Sequence, residues 1–164
     1  MELIYLAVFI ILVTVAIGLV LTHLKAKDEG PLPYQAKKYF FSHSEQEFLR
    51  ILNESIDRQR YLIFPKVRLA DFIEVTVKGK EYQGWWNKIR SKHVDFLIWD
   101  VQQNKIALAI ELDGRSHGSE KMQERDEFVN RLYEQIHMKL ERVSVGTEFS
   151  KIASEIHASL NTLK

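Results

Sequence analysis

Hydrophobic and polar positions divide the chain into two unlike parts. Leu3–Leu21 is apolar except for Thr14 and Gly18, and its apolar residues run all round rather than along one stripe. A helix of that length spans roughly 28 Å, the thickness of a bilayer's hydrocarbon core. This pattern does not suit a surface helix of a globular domain, which shows one apolar face. Asp28-Glu29-Gly30-Pro31-Leu32-Pro33 then interrupts regular structure.

Beyond that linker the pattern alternates between two periods. Ser42 with Glu45 three residues on has the spacing of a capping box, and Phe48, Leu49, Leu52 and Ile56 form a helical stripe. Glu45 falls on that stripe and is expected to point toward the sheet. Tyr61–Leu69 is rich in β-formers and reads as a strand, with Pro65 near an edge or bulge. Residues 70–91 read as irregular. His93–Val101 and Lys105–Asp113 alternate with period two and are joined by a tight turn at Gln102-Gln103-Asn104. On the second of these strands Ile106, Leu108, Ile110 and Leu112 are expected on one face. Ala107, Ala109, Glu111 and Asp113 are expected on the other. Glu120–Ile136 is predicted helical, His137–Val145 a strand, and Thr147–Leu163 a closing helix.

The order is helix, three strands, helix, strand, helix. A crossover helix between the third and fourth strands lets them lie parallel. The expected fold is α/β, a mixed sheet with helices on both faces. The expected divisions are an anchor over 1–24, a linker over 25–41 and a folded domain over 42–164.

Composition sharpens this division. The 164 residues carry 23 Lys plus Arg and 22 Asp plus Glu, a formal net charge of +1, with 46% hydrophobic residues and no cysteine. Near-neutrality excludes a basic chromatin-type protein and an acidic disordered tail. The missing cysteine excludes a disulfide scaffold, a thiolate zinc site and a cysteine nucleophile. From Leu3 to Leu24 there is no Asp, Glu, Lys or Arg. A cleaved signal peptide wants basic residues before the apolar run and small residues after it. Met1-Glu2 and Leu21-Thr22-His23-Leu24-Lys25 supply neither, so a retained single-pass anchor is expected. Lys25, Lys27, Lys37 and Lys38 follow the run and no Lys or Arg precedes it, which places the C-terminal part in the cytoplasm.

The chemistry-bearing pattern is acidic. Asp95 lies mid-strand between Val94 and Phe96, and Glu111 and Asp113 end the next strand. A carboxylate in such a strand costs free energy unless it is paired or binds a cation. Neighbouring strands can set Asp95 beside Glu111, and a divalent cation would remove their repulsion. Oxygen ligands favour Mg²⁺ or Mn²⁺, with Asp95, Glu111 and the Leu112 carbonyl as the metal-ligating set. Each residue also has a structural reading: Asp95 in an ion pair with Arg125 or Lys92, Glu111 and Asp113 at a wet strand end, Glu45 serving its helix cap. Lys66, Arg68, Lys78, Lys80, Lys88, Arg90 and Lys92 flank the Trp85-Trp86 segment. Such a basic, Trp-bearing region could follow a phosphate backbone and stack on bases, but acidic neighbours such as Asp71, Glu74 and Glu81 dilute it and favour a solvated loop.

The element order and Asp95…Glu111-Leu112-Asp113 resemble the restriction-endonuclease-like, PD-(D/E)XK nuclease superfamily. Tyr39-Phe40-Phe41-Ser42 with Glu45 and Phe48 resembles the family catalogued as domain of unknown function 2726. So do Phe64–Asp71, Lys92–Phe96, Ile110–Gly114 with Ser116-His117, and Arg125–Phe128. The Glu-x-Asp-Gly run with its later His and Arg-Asp is also similar to relatives of very-short-patch-repair endonucleases. The resemblance implies a restriction-endonuclease-like core and Mg²⁺-dependent hydrolysis of nucleic-acid phosphodiesters. Its catalytic residues would be Glu45, Asp95, Glu111, Asp113 and His117, with Lys92, Lys121 and Arg125 meeting nucleic acid. The superfamily pattern has Lys where this chain has Asp113. Lys92, Lys121 or Arg125 would then supply the cation, or the domain has become a non-cutting binding or scaffold module.

Overall fold

The computed structural model describes residues 1–25, 31–114 and 120–162. It divides into two compact units, Met1–Phe40 and Phe41–Lys164.

The first unit is built on α1 (Glu2–Lys25). Its stretch Glu2–Thr22 has a mean hydropathy of 3.0 and none of it is buried in the structure, so it is long and apolar enough to cross a membrane.

The second unit is a mixed α/β fold. Its elements are α2 (His43–Ser55), β1 (Tyr61–Arg68), α3 (Tyr82–Ile89), β2 (His93–Asp100), β3 (Lys105–Asp113), α4 (Glu120–Gln135), β4 (Leu140–Ser144) and α5 (Phe149–Thr162). With α1, the described residues hold five helices and one four-stranded sheet in the order β1-β2-β3-β4. β1 and β2 pair antiparallel, as do β2 and β3, while β4 lies parallel to β3 after the α4 crossover. This is the topology that the alternation of periods predicts.

Local chemistry starts and stops the elements near the site. The Ser42 side chain accepts the Glu45 N–H, and the Glu45 carboxylate accepts the Ser42 N–H at 2.7 Å, closing the expected capping box on α2. At the β2–β3 turn, Asp100 Oδ1 accepts the N–H groups of Gln102 and Gln103. Asn104 takes φ +52 there, a conformation that asparagine adopts more readily than most residues.

Two apolar layers sandwich the sheet. On one side Phe48 and Leu52 of α2 and Phe149, Ile156 and Leu160 of α5 pack on Phe96, Ile98, Leu108 and Ile110. Phe48 meets Phe149 edge-on, with ring centroids 5.2 Å apart. The Tyr61 hydroxyl donates to the Leu160 carbonyl at 3.0 Å, tying β1 to α5. On the other side Val129 and Tyr133 of α4, Ile89 of α3 and Leu69 pack on Val94, Leu97 and Ala109.

Three expectations need correction. Residues 70–91 are not simply irregular: they hold α3 and two short 3₁₀ turns, Leu69–Asp71 and Gly79–Glu81. β4 begins at Leu140 rather than His137, which has φ +52 and ends the α4 turn. The two faces of β3 do not alternate throughout. Ile98 pairs with Leu108 but Trp99 pairs with Ile106, leaving Ala107 as an extra residue. That bulge turns Ile106 to the α4 side while Leu108 and Ile110 face α2 and α5.

Candidate active site

The candidate carboxylates gather where β2 and β3 separate. The ladder runs to the Phe96–Ile110 pair, and its register continued would set Asp95 opposite Glu111. The strands do not close there. Asp95 Oδ2 instead accepts the Leu112 N–H at 2.9 Å, a donor that a regular ladder would give to a β2 carbonyl. The next carbonyl along, that of Asp113, accepts the Val145 N–H. Backbone direction alternates along a strand, so the Leu112 carbonyl turns toward β2 and Asp95.

The cation serving Asp95 comes from β1. Lys66 Nζ donates to Asp95 Oδ1 at 3.2 Å and is also ion-paired with Glu45 Oε1. Lys66 sits between Pro65, opposite Phe96, and Val67, opposite Val94, and its backbone has φ +56. A left-handed residue inside a strand costs of order 1–3 kcal/mol and persists only where its surroundings hold it. Here two carboxylates hold it. Its side chain is 24% exposed, that of Glu45 13% and that of Asp95 18%. Burial pushes the Glu45 carboxyl up, but the Lys66 ammonium and the Ser42 cap outweigh it and hold it below the usual range. Burial likewise disfavours the Lys66 charge, yet Glu45 and Asp95 hold its pKa above the ordinary value.

Glu111 belongs to a second cluster centred on Arg142 of β4. Arg142 Nη1 lies 3.0 Å from Glu111 Oε2 and 3.2 Å from Asp113 Oδ1, and Nη2 lies 3.8 Å from Asp126 Oδ1. Asn130 also accepts from this guanidinium. The Glu111 side chain is 12% exposed. Burial, helped by Asp113 and Asp95, holds its carboxyl above the usual range against the pull of Arg142 and Arg125. Tyr133 is buried close enough to feel the Glu111 charge, and its hydroxyl has no hydrogen-bond partner among the described residues.

The structure therefore brings Glu45 and Asp95 together through Lys66, and joins Glu111 and Asp113 through Arg142. The register and their mutual repulsion link Asp95 to Glu111. Asp95 takes Lys66 as its ion partner, not the Arg125 or Lys92 considered from the sequence. His117 and the Lys121 side chain lie outside the described residues. Lys92 and Arg125 make no ion pair with these carboxylates among the described residues; the Arg125 charge is felt both at Glu111 and at Lys92. Sequence reasoning assigned Lys66 no site role, placing it in a diffuse basic cluster and within the family-like run Phe64–Asp71, and missed Arg142 altogether. A lysine opposite Asp95 in a strand that pairs with it was the signal available for Lys66.

Comparison with known families supplies the relationship. The family described as Protein of unknown function (DUF2726) matches residues 37–160, more than half of the chain. The chain belongs to that family. The match takes in Glu45, Lys66, Asp95, Glu111 and Arg142, so both clusters lie inside the family's common domain. No curated protein and no solved structure matches the chain.

Chemically, the two clusters set five carboxylates (Glu45, Asp95, Glu111, Asp113 and Asp126) against two directly paired cations. Among the described residues, no three His, Asp or Glu side chains form a group able to hold a metal ion. A set of two carboxylates and the Leu112 carbonyl is smaller than that. Its donors are all oxygen, the kind that hard divalent cations take, and its two carboxylates are paired with Lys66 and Arg142.

Proposed function

We propose that the second unit hydrolyses phosphodiester bonds of nucleic acid with Mg²⁺ or Mn²⁺, in a restriction-endonuclease-like site. The observation that carries this reading is Lys66, held by Glu45 and Asp95 beside the Leu112 main chain. It offers the cation that Asp113 denies to the superfamily position, from β1, the strand that pairs with Asp95's β2. Asp95, Glu111 and the Leu112 carbonyl would hold the metal, which supplies Lewis-acid charge for the phosphate and the attacking water. The chain's own residues do the rest. The Lys66 ammonium orients the attacking water and balances charge developing on the phosphate. Glu45 fixes the Lys66 side chain from the start of α2. Arg142 pairs with the buried Glu111 and opposes the desolvation that raises its carboxyl.

In this reading α1 is a retained anchor and the second unit faces the cytoplasm, on the strength of the basic residues after the span. Release of labelled fragments from DNA and RNA by the full chain in detergent tests the proposal. Cleavage that requires Mg²⁺ or Mn²⁺, stops with chelator and fails in Asp95→Asn supports it. Equal behaviour of wild type and Asp95→Asn over single- and double-stranded substrates refutes it.

A second reading is a nuclease-like fold that binds without cutting. The favouring observation is that Lys66 and Arg142 already pair the carboxylates. Calorimetric titration with Mn²⁺ separates the two: binding lost in Glu111→Gln contradicts the non-cutting module.

A further inference from the structure

Lys88 of α3, Lys92 just before β2 and Arg125, one helical turn from Phe128 on α4, form a basic cluster, with Glu124, Asp126 and Glu127 flanking Arg125. Lys88 Nζ lies 4.1 Å from the centroid of the Trp85 ring and 5.8 Å from that of Phe128. Lys92 Nζ lies 5.5 Å from the same Phe128 ring and donates to the Lys88 carbonyl at 2.7 Å. Among the described residues, Lys88, Lys92 and Arg125 take part in no ion pair, whereas Lys66 and Arg142 each serve two or more carboxylates. The three cations act on one another: burial, then the charges of Arg125 and Lys88, make the Lys92 ammonium easier to deprotonate. Like charges brought together cost free energy that a bound anion recovers.

Two features narrow the choice of anion. The patch is aromatic as well as basic. Trp85 is 45% exposed, and Tyr82 stacks on Trp86 on the same short helix at 6.2 Å. A flat exposed indole beside cations suits a base next to its own phosphate, and stacking of this kind is tolerant of sequence. Paired bases in a duplex do not offer their faces. The patch is also coupled to the candidate site, because the Arg125 charge reaches Glu111.

We propose that Lys88, Lys92 and Arg125 with Trp85 form a subsite for unpaired nucleic acid, the cations holding phosphates and Trp85 stacking a base. This rests on the hydrolytic reading for its biological sense, but binding is separable from cleavage.

The test is anisotropy of a fluorescein-labelled oligothymidylate of about 16 nucleotides, a length within the span of known single-strand sites. The full chain is held in zwitterionic nanodiscs with EDTA, so that no metal-dependent cleavage intervenes. Wild type should bind the oligothymidylate at least 10-fold more tightly than a duplex of the same length. Replacing Lys88, Lys92 and Arg125 together by Ala should flatten the slope of log K against log salt by about 2, near 0.7 for each lost single-strand phosphate contact. Trp85→Ala should weaken binding by about 5- to 100-fold, and Trp85→Phe less. Lys151→Ala, an exposed cation on α5 outside the patch, should retain affinity.

Equal affinity for duplex and single strand, or oligothymidylate binding that none of these substitutions changes, overturns the subsite. So does loss of binding to phosphatidylserine vesicles in the triple variant with oligothymidylate binding intact, since that marks a lipid-headgroup surface. If the subsite binds as described but no nucleic acid is cleaved with Mg²⁺ or Mn²⁺, the hydrolytic reading fails and the subsite stands. If cleavage occurs but the patch variants bind and cut as wild type, the reverse holds.

Discussion

Lys66→Met removes the ammonium that Glu45 and Asp95 share while keeping a side chain of similar length. Both carboxylates then remain in a site where they are only 13% and 18% exposed. Each keeps one other donor, the Ser42 N–H for Glu45 and the Leu112 N–H for Asp95. Breaking a fully buried ion pair costs about 3–5 kcal/mol, and an exposed pair is worth only about 0.2–1 kcal/mol. With a minority of each side chain wet and one donor retained on each carboxylate, the loss should be about 2–3 kcal/mol. Met keeps the backbone cost of φ +56, whereas Lys66→Gly releases it and should be about 1 kcal/mol milder. The pH dependence follows from the depressed Glu45 value. A carboxyl whose folded pKa lies below its unfolded value of about 4.3 stabilises fully above that value. The contribution is lost as pH falls through the folded value. The gap between wild type and Lys66→Met should therefore be full at pH 7 and shrink below about pH 4. Denaturant unfolding of the full chain in detergent, followed by tryptophan fluorescence at several pH values, measures it. Equal stability of the two proteins at pH 7, or a gap independent of pH down to 3, would refute the assignment of Lys66 as the cation of this site.

Further outcomes follow from other contacts. Ser42→Ala removes the side chain that caps α2 and should cost about 1 kcal/mol by thermal unfolding, while also loosening Glu45. Tyr133→Phe deletes a buried hydroxyl that lacks a partner among the described residues, so its denaturation midpoint should match or exceed wild type. A clear loss there would show that the hydroxyl is satisfied in solution, by water or by Glu111. Asp100 accepts two bonds from Arg60, which hold its carboxyl below the usual range. Asp100→Asn should lower the melting temperature at pH 7. Because the folded value is depressed, that difference should close as pH falls below about 3.9 and through the folded value.

What could be read in the sequence was local. The capping box at Ser42 and Glu45 and the β2–β3 hairpin are written in adjacent residues, and the α4 crossover follows from the change of period. α3 escaped because Gly84 lowers its helix propensity and eight residues carry little periodicity. Only Ile89 of that helix is buried, so packing at one end anchors it. β4 starts late because the positive φ of His137 belongs to the turn that ends α4. The candidate carboxylates were visible as charges in apolar strands, but their cations were not. Lys66 reaches Asp95 through a left-handed backbone that no residue pattern announces. Arg142 meets Glu111 because a parallel pairing after the crossover sets β4 beside β3, and parallel register leaves no mark in either strand alone.

The central claim is that Lys66 acts in hydrolysis and does not merely brace the fold. Cleavage of a labelled single-stranded oligonucleotide by the full chain with Mg²⁺, comparing wild type with Lys66→Met at a temperature where both are folded, tests it most directly. The account predicts a fall in kcat of roughly 100-fold or more, the usual scale for removing one transition-state charge contact, with KM nearly unchanged. Cleavage by Lys66→Met at the wild-type rate would contradict it.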